Sequence, residues 1–154
     1  MKLLFKKHWP LFIGITLIIL FSAFNKHSEN PGFSLTVEVH ELRNDDGIVV
    51  FGLYNREDAF PDEHYKKYFK IASGEITNGS SSVIFENLPA GKYAVNILHD
   101  ENEDGKIKKG FILPVEGIGF SNYQSIGLTN RPKFSKASFD LDSNKTISVQ
   151  VIYL

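Results

Sequence analysis

The chain has 154 residues, no cysteine and a formal net charge of −1, which suits one domain of ordinary size. Without cysteine it cannot be a disulfide scaffold, bind zinc through thiolates or use a cysteine nucleophile. The charge is uneven: residues 1–24 carry +3 from three lysines, and the remaining residues, with 14 Lys+Arg and 18 Asp+Glu, carry −4. A mildly acidic body argues against nucleic-acid binding, which needs a basic face.

The N-terminal segment has the order of an export signal. A lysine-rich start precedes an apolar run, Trp9–Phe24, that contains only two polar residues. The run is shorter than the ~20 residues that span a bilayer. We therefore expect residues 1–24 to be a signal peptide or an uncleaved signal anchor, with membrane contact confined to residues 9–24. Residues 25–32 form a linker, and the body is exported to the periplasm or cell envelope.

Residues 33–154 alternate between apolar and polar residues in short runs separated by turns. Phe33, Leu35, Val37 and Val39 have the period of a half-buried strand. Ile48–Tyr54 is apolar on both faces, which predicts a central strand. Further strands are predicted at Lys70–Glu75, Ser82–Phe85, Lys92–His99, Phe139–Leu141 and Thr146–Tyr153. About seven short strands predict an all-β fold, a β-sandwich over residues 33–154.

Two stretches of the body lack this alternation of apolar and polar residues. Asn55–Phe69 contains Pro61, then two acids and two lysines, a charge order that favours one short helix. Asp100–Pro132 contains five glycines and little periodicity. An insertion of this length without secondary structure is uncommon in a compact domain and is often functional. We therefore look for a binding site in residues 100–132.

An acidic loop opens this insertion. Four carboxylates lie within residues 100–104, so either the lysines at 106, 108 and 109 or a bound cation should offset them. Asp100, Asn102 and Asp104, followed by a glycine, match positions 1, 3 and 5 of a calcium loop, but Phe111 replaces the glutamate of position 12. Two interpretations stay open: a calcium site on Asp100, Asn102 and Asp104, or a solvated hairpin tip held by Asx turns.

Several motifs of the body resemble those of a known family. F-E-N-L-P-A-G-K-Y at residues 85–93 resembles a turn of prealbumin-like bacterial surface domains. Together with the acidic loop after it, with P-x-E at 114–116, G-F-S-N at 119–122 and F-x-x-A-x-F at 134–139, it resembles the uncharacterised bacterial family called domain of unknown function 2141. The resemblance extends from about Phe33 to Tyr153. It implies an exported, immunoglobulin-like or prealbumin-like sandwich without an established activity. Relatives usually carry an acid where this chain has Lys108, which argues against a metal here.

The other candidate site residues also lie in or beside the insertion. Ser121 and Asn122 are suited to hydrogen-bond the backbone of the acidic loop while Phe120 anchors the insertion to the core; a ligand contact is the alternative. His99, next to the first acid of the loop, and Glu116 complete the set. A lone histidine beside an acid is more often a hydrogen-bonded surface residue than a base, and no catalytic motif is present.

Three hypotheses for the function follow. The first is a non-enzymatic envelope module that binds an envelope protein, a glycan or a small ligand through residues 100–132. The second is a structural calcium protein that uses the degenerate D-x-N-x-D-G loop, with calcium as the one cofactor considered. The third is a hydrolase that uses His99 and a neighbouring carboxylate. No nucleic-acid partner is expected.

Overall fold

A computed structural model describes residues 32–105 and 116–154 of the chain. The predicted export segment at 1–24, the predicted linker except its last residue, and the lysines at 106, 108 and 109 lie outside the described residues. Within the two described ranges, no helix is both long and apolar enough to cross a membrane.

The described residues form two β-sheets, which confirms the all-β prediction. Nine strands occur in the described ranges: β1 (Phe33–Val39), β2 (Ile48–Tyr54), β3 (Lys70–Glu75), β4 (Ser81–Leu88), β5 (Gly91–Asp100), β6 (Gly117–Phe120), β7 (Phe139–Leu141), β8 (Lys145–Ser148) and β9 (Val151–Ile152). The first sheet has the order β4-β1-β8. The second has the order β3-β2-β5-β6-β9, and β7 pairs with the start of β5. The two sheets pack face to face as a sandwich.

The core between the sheets follows from the alternating pattern of the strands. Leu35, Val37 and Val39 of β1 are fully buried and belong to one apolar cluster with residues of β2 and β5. Leu88 and Tyr93, on either side of the F-E-N-L-P turn, are buried in the same cluster. The Tyr93 hydroxyl donates to the carbonyl oxygen of Pro89 at 2.9 Å, so the turn closes one end of this core.

Strands β2 and β5 are buried on both faces. Their outward-facing side chains, among them Val50, Tyr54 and Leu98, form a second apolar cluster with residues from two irregular segments, 55–69 and 121–137. We call these two segments the covering layer. Because both faces of the second sheet are covered, the domain has three layers, with the second sheet in the middle.

The helix predicted over Asn55–Phe69 is wrong. This segment contains a 3-10 turn at Glu57–Ala59 and then irregular turns. The cause is the buried Asp62 carboxylate, which accepts the backbone N–H groups of Lys66 and Lys67 at 2.6 Å each and so replaces helical carbonyl partners. Burial raises the pKa of Asp62, but the backbone hydrogen bonds outweigh it and leave the pKa below its ordinary value.

The strand predicted over Thr146–Tyr153 is two strands in different sheets. β8 runs parallel to β1, whereas β9 pairs antiparallel with β6. The chain crosses between the sheets at Val149 and Gln150, where the Val149 N–H donates to the carbonyl oxygen of Glu38 at 2.9 Å. Gly119 permits this crossing, because a Cβ there would lie 2.7 Å from the Gln150 carbonyl oxygen. The apolar alternation continues through the crossing, so the sequence pattern did not reveal it.

The insertion at 100–132 contains a strand, contrary to expectation. Its residues Gly117–Phe120 form β6, which pairs antiparallel with β5. A single helical turn, α1 (Phe134–Ala137), follows just beyond the insertion and was not predicted. Because two of the four residues of β6 are glycines, the sequence shows no clear alternation of apolar and polar side chains there.

Leu98→Ala tests whether the outer face of β5 is a true core. Leu98 is fully buried in the cluster that the covering layer completes, so its truncation should lower the free energy of unfolding by about 2–5 kcal/mol. Ile84 is 61% exposed and is the control, because Ile84→Ala should change stability by no more than about 0.5 kcal/mol. Chemical denaturation measures both variants, and an equally small loss in each would show that the layer does not bury this face.

Candidate functional site

Hydrogen bonds between side chains and backbone N–H groups of the same loop fix the conformation of the acidic loop. Asp100 is 1% exposed, and its carboxylate accepts the N–H groups of Asp104 at 3.2 Å and Gly105 at 2.8 Å. Asn102 Oδ1 accepts the same Asp104 N–H at 3.0 Å. These bonds are of the Asx-turn kind. Across the described residues, no group of three or more His, Asp or Glu side chains is placed to hold a metal ion. Calcium at Asp100, Asn102 and Asp104 stays a prediction.

Glu101 of this loop is neutralised by an arginine from a distant turn. Arg43 donates from Nε to Glu101 Oε1 at 2.8 Å and from Nη2 to Oε2, and Asn44 Nδ2 donates to Oε1 at 2.7 Å. The hydrogen bonds from Arg43 hold the pKa of Glu101 below its ordinary value. Sequence reasoning considered only the nearby lysines and a cation, because Arg43 lies 58 positions earlier in the chain.

His99 is hydrogen-bonded as expected, but the expectation that it lies at the surface is wrong, because protein groups enclose it. It is fully buried, and its Nε2 lies 2.9 Å from the carbonyl oxygen of Asp46, which can only accept, so Nε2 carries the proton. Nδ1 then accepts the hydroxyl proton of Tyr153 at 2.7 Å. Both ring nitrogens therefore connect segments of the chain, and His99 links β5 to the turn that contains Asp46 and to the C-terminal segment.

Phe120, Ser121 and Asn122 attach the covering layer to the second sheet. Phe120 is buried in the outer cluster, as the expected anchor. Ser121 Oγ accepts the Val95 N–H at 2.9 Å and donates to the carbonyl oxygen of Ala137 at 2.8 Å. Asn122 Nδ2 faces the carbonyl oxygens of residues 136–138 at 3.1–3.2 Å. The partners of Ser121 and Asn122 are thus β5 and the residues at the end of α1, and within the described ranges neither side chain makes the predicted bond to the acidic loop.

The candidate residues fall into two groups. Glu116 is 2% exposed and directly precedes Gly117, which pairs with His99 across β5 and β6. Glu116, His99 and the acidic loop therefore meet at one end of the second sheet. Phe120 pairs with Asn96 at the other end of β6, so the G-F-S-N segment lies apart from the first group.

A groove of about 660 Å³ lies beside the G-F-S-N segment. It is lined by residues of the covering layer and the end of β6, by the crossing at 148–150, and by His40 and the exposed Glu41, which follow β1. Its neutral polar side chains are those of Asn122, Gln124, Ser125, Asn130, Ser148 and Gln150. Gln124 and Gln150 are the only two glutamines of the chain. Both are exposed, and among the described residues neither side-chain amide has a hydrogen-bond partner.

The lysine and the histidine of the groove are already engaged. Lys136 Nζ donates to Asn130 Oδ1 at 2.8 Å and lies 4.4 Å from the centroid of the Tyr123 ring. The ring nitrogens of His40 lie 3.2 Å from Ser80 Oγ and 3.4 Å from the carboxylate of Glu38. The G-F-S-N motif marked one side of this groove through Phe120 and Asn122. The sequence did not reveal the rest, because the other walls come from segments that are distant in the chain.

The fold and the groove define a class of protein: a two-sheet β domain whose second sheet carries a covering layer and borders an open polar groove. The chain belongs to a family of uncharacterised proteins conserved in bacteria, DUF2141, whose sequence pattern matches residues 37–149. This match confirms the resemblance seen in the motifs, and it includes the acidic loop and every residue that lines the groove except Gln150. No curated protein and no solved structure matches the chain.

Glu101→Gln tests the ion pair through its pH dependence. Since Arg43 lowers the pKa of Glu101 in the folded state, the pair stabilises the protein above the unfolded pKa, near 4.5, and this stabilisation disappears as the pH falls through the folded pKa. The variant should be less stable than the wild type by about 1 kcal/mol at pH 7. The difference should shrink towards zero in acid.

Glu103→Gln is the matched control for this experiment. Glu103 is exposed in the same loop, so its substitution should change the free energy of unfolding at pH 7 by no more than about 0.5 kcal/mol. Urea denaturation from neutral to acidic pH gives both curves. A constant difference between wild type and Glu101→Gln at every pH would contradict the ion-pair account.

Proposed function

We propose that this protein is a non-enzymatic binding module of the bacterial cell envelope, and that it binds an envelope protein, a glycan or a small ligand in the groove formed by the insertion at 100–132 and the crossing at 148–150. The immunoglobulin-like or prealbumin-like character of the sandwich is part of this proposal. Its support is the F-E-N-L-P-A-G-K-Y turn, whose Leu88 and Tyr93 are buried.

The observation that carries the binding proposal is the pair of glutamines in the groove. Gln124 and Gln150 are exposed, 26 positions apart in the chain, and line the same groove. Most of the other polar groups of the covering layer discussed above are occupied within the fold. Two amides without internal partners in one groove are suited to orient a ligand, because binding sites use a small number of polar groups for this purpose.

The non-enzymatic part of the proposal is supported by the surroundings of His99. A general base must come within hydrogen-bond reach of the proton that it removes. His99 is fully buried, and both of its ring nitrogens are engaged by Asp46 and Tyr153.

Photo-crosslinking in living cells tests the binding proposal without knowledge of the ligand. p-Benzoylphenylalanine placed at position 124 or 150 should form an adduct on irradiation, since these side chains line the groove. The control places it at position 84, which is 61% exposed and does not line the groove. Adducts at 124 and 150 but not at 84 are expected. The absence of adducts at both groove positions, or identical adducts at 84, would contradict the proposal.

Export is supported by the lysine-rich, apolar N-terminal sequence. Tryptophan fluorescence tests whether residues 1–24 are removed after export. Trp9 is the only tryptophan of the chain. Protein recovered from the envelope should show tyrosine emission alone if residues 1–24 are removed as a signal peptide, and tryptophan emission if they remain as an anchor. The proposal fails if the protein is found in the cytoplasmic fraction, protected from protease in spheroplasts.

A further inference from the structure

We propose that the groove takes an oligosaccharide without acidic groups. This inference rests on the proposed function of the groove as a ligand site, and it adds the chemical class of the ligand. It follows from three features of the lining: its hydrogen-bonding groups, its charge and its small apolar area.

The hydrogen-bonding groups of the groove match hydroxyl groups. Each amide of Gln124 and Gln150 offers donors and an acceptor side by side, and the exposed hydroxyls of Ser125 and Ser148 do both. A sugar hydroxyl also donates and accepts, so adjacent hydroxyls of a sugar ring can satisfy both ends of one amide. Among the described residues, none of these four side chains has an internal hydrogen-bond partner that a ligand would have to displace.

The charges of the groove do not favour an anionic ligand. Lys136 is held by Asn130 and the Tyr123 ring, and His40 lies between Ser80 and Glu38. Glu41 adds an exposed carboxylate to the lining. An anionic ligand would have to break a contact of Lys136 or His40, or lose its hydration beside the Glu41 carboxylate without a new partner, which is costly. A neutral polar ligand avoids this cost.

The apolar side chains of the lining expose little area, and hydrogen bonds hold one of them in place. Phe120, Tyr123 and Val149 are 5%, 3% and 2% exposed, so an apolar ligand would remove little further apolar area from water. The Tyr123 hydroxyl donates to the carbonyl oxygen of Arg131 at 3.2 Å and accepts the Lys133 N–H at 2.9 Å, which fixes the ring. A floor that is fixed before binding lowers the entropic cost of taking up a ligand.

This groove suits a peptide that adds a strand to a sheet less well than it suits an oligosaccharide. Such a peptide needs a free row of backbone N–H and C=O groups. At the crossing, the Val149 N–H is already bonded to the carbonyl oxygen of Glu38. The volume of about 660 Å³ lies within the ~300–1,000 Å³ typical of small-ligand sites, which suits a short oligosaccharide.

The test is an NMR titration of the full-length protein in a detergent without a sugar head group. The probes are neutral trisaccharides built from glucose, mannose, galactose or N-acetylglucosamine. Because the chain has only two glutamines, 15N labelling of glutamine side chains gives two amide groups to follow. We expect at least one trisaccharide to shift both signals saturably, and its carboxyl analogue to bind about tenfold more weakly or worse.

Variants assign the binding to the groove. Gln124→Ala and Gln150→Ala should each weaken binding of the same trisaccharide by about 3- to 10-fold, the effect of losing a neutral hydrogen bond. Asn55→Ala removes an exposed amide that does not line the groove and should leave the affinity unchanged. For the variants that lack a glutamine signal, calorimetry measures the affinity.

Three results would overturn the oligosaccharide inference: no shift with any of the neutral trisaccharides, tighter binding of the carboxyl analogue, or unchanged affinity in the double variant Gln124→Ala/Gln150→Ala. Photo-crosslinks from positions 124 and 150 to a protein, without any sugar binding, would overturn this inference and leave the proposed binding function standing. The absence of both crosslinks and sugar binding would overturn the two together.

Discussion

The second sheet is buried on both faces, and the rest of the structure depends on this constraint. β2 and β5 carry apolar side chains on their inner and outer faces alike, so two sheets packed together can cover only half of what they must bury. Residues 55–69 and 121–137 cover the remaining face without forming strands there. Their backbone N–H and C=O groups cannot rely on a regular ladder and need side-chain partners instead.

Polar side chains of the covering layer meet this need, and the groove lies at the border of the layer. Asp62 accepts backbone N–H groups of its own loop, Ser121 bonds β5 and α1, and Asn122 faces the last carbonyls of α1. These residues are polar for structural reasons, although Ser121 and Asn122 resemble site residues when only the sequence is read. Gln124 and Gln150 differ because they lie where the layer meets the crossing between the sheets and, among the described residues, have no internal partner. Polar side chains with a structural role are therefore distinguished from candidate ligand-binding ones by their partners within the fold.

The sequence predicted the features that leave a local pattern. The alternation of apolar and polar residues predicted β1, and the apolar residues on both faces of Ile48–Tyr54 predicted β2 as a central strand. The glycine-rich stretch without periodicity predicted the insertion. It could not predict the choice of partner. The alternation of 146–153 is the same whether the chain stays in one sheet or crosses to another, and the glycines of β6 hide a strand that its pairing with β5 stabilises. The bonds of Arg43 to Glu101 and the meeting of the two glutamines join distant parts of the chain, which no local spacing encodes.

Native-state hydrogen exchange tests most directly whether the irregular segments form a third layer that is stable against local opening. The amides of Lys66 and Lys67 are outside any strand but bonded to the buried Asp62 carboxylate. The account predicts that they exchange nearly as slowly as the amide of Ile97 in β5, because they open only with the covering layer. Exchange as fast as that of the exposed amide of Asn102 would contradict it, and the second sheet would then have no stable cover.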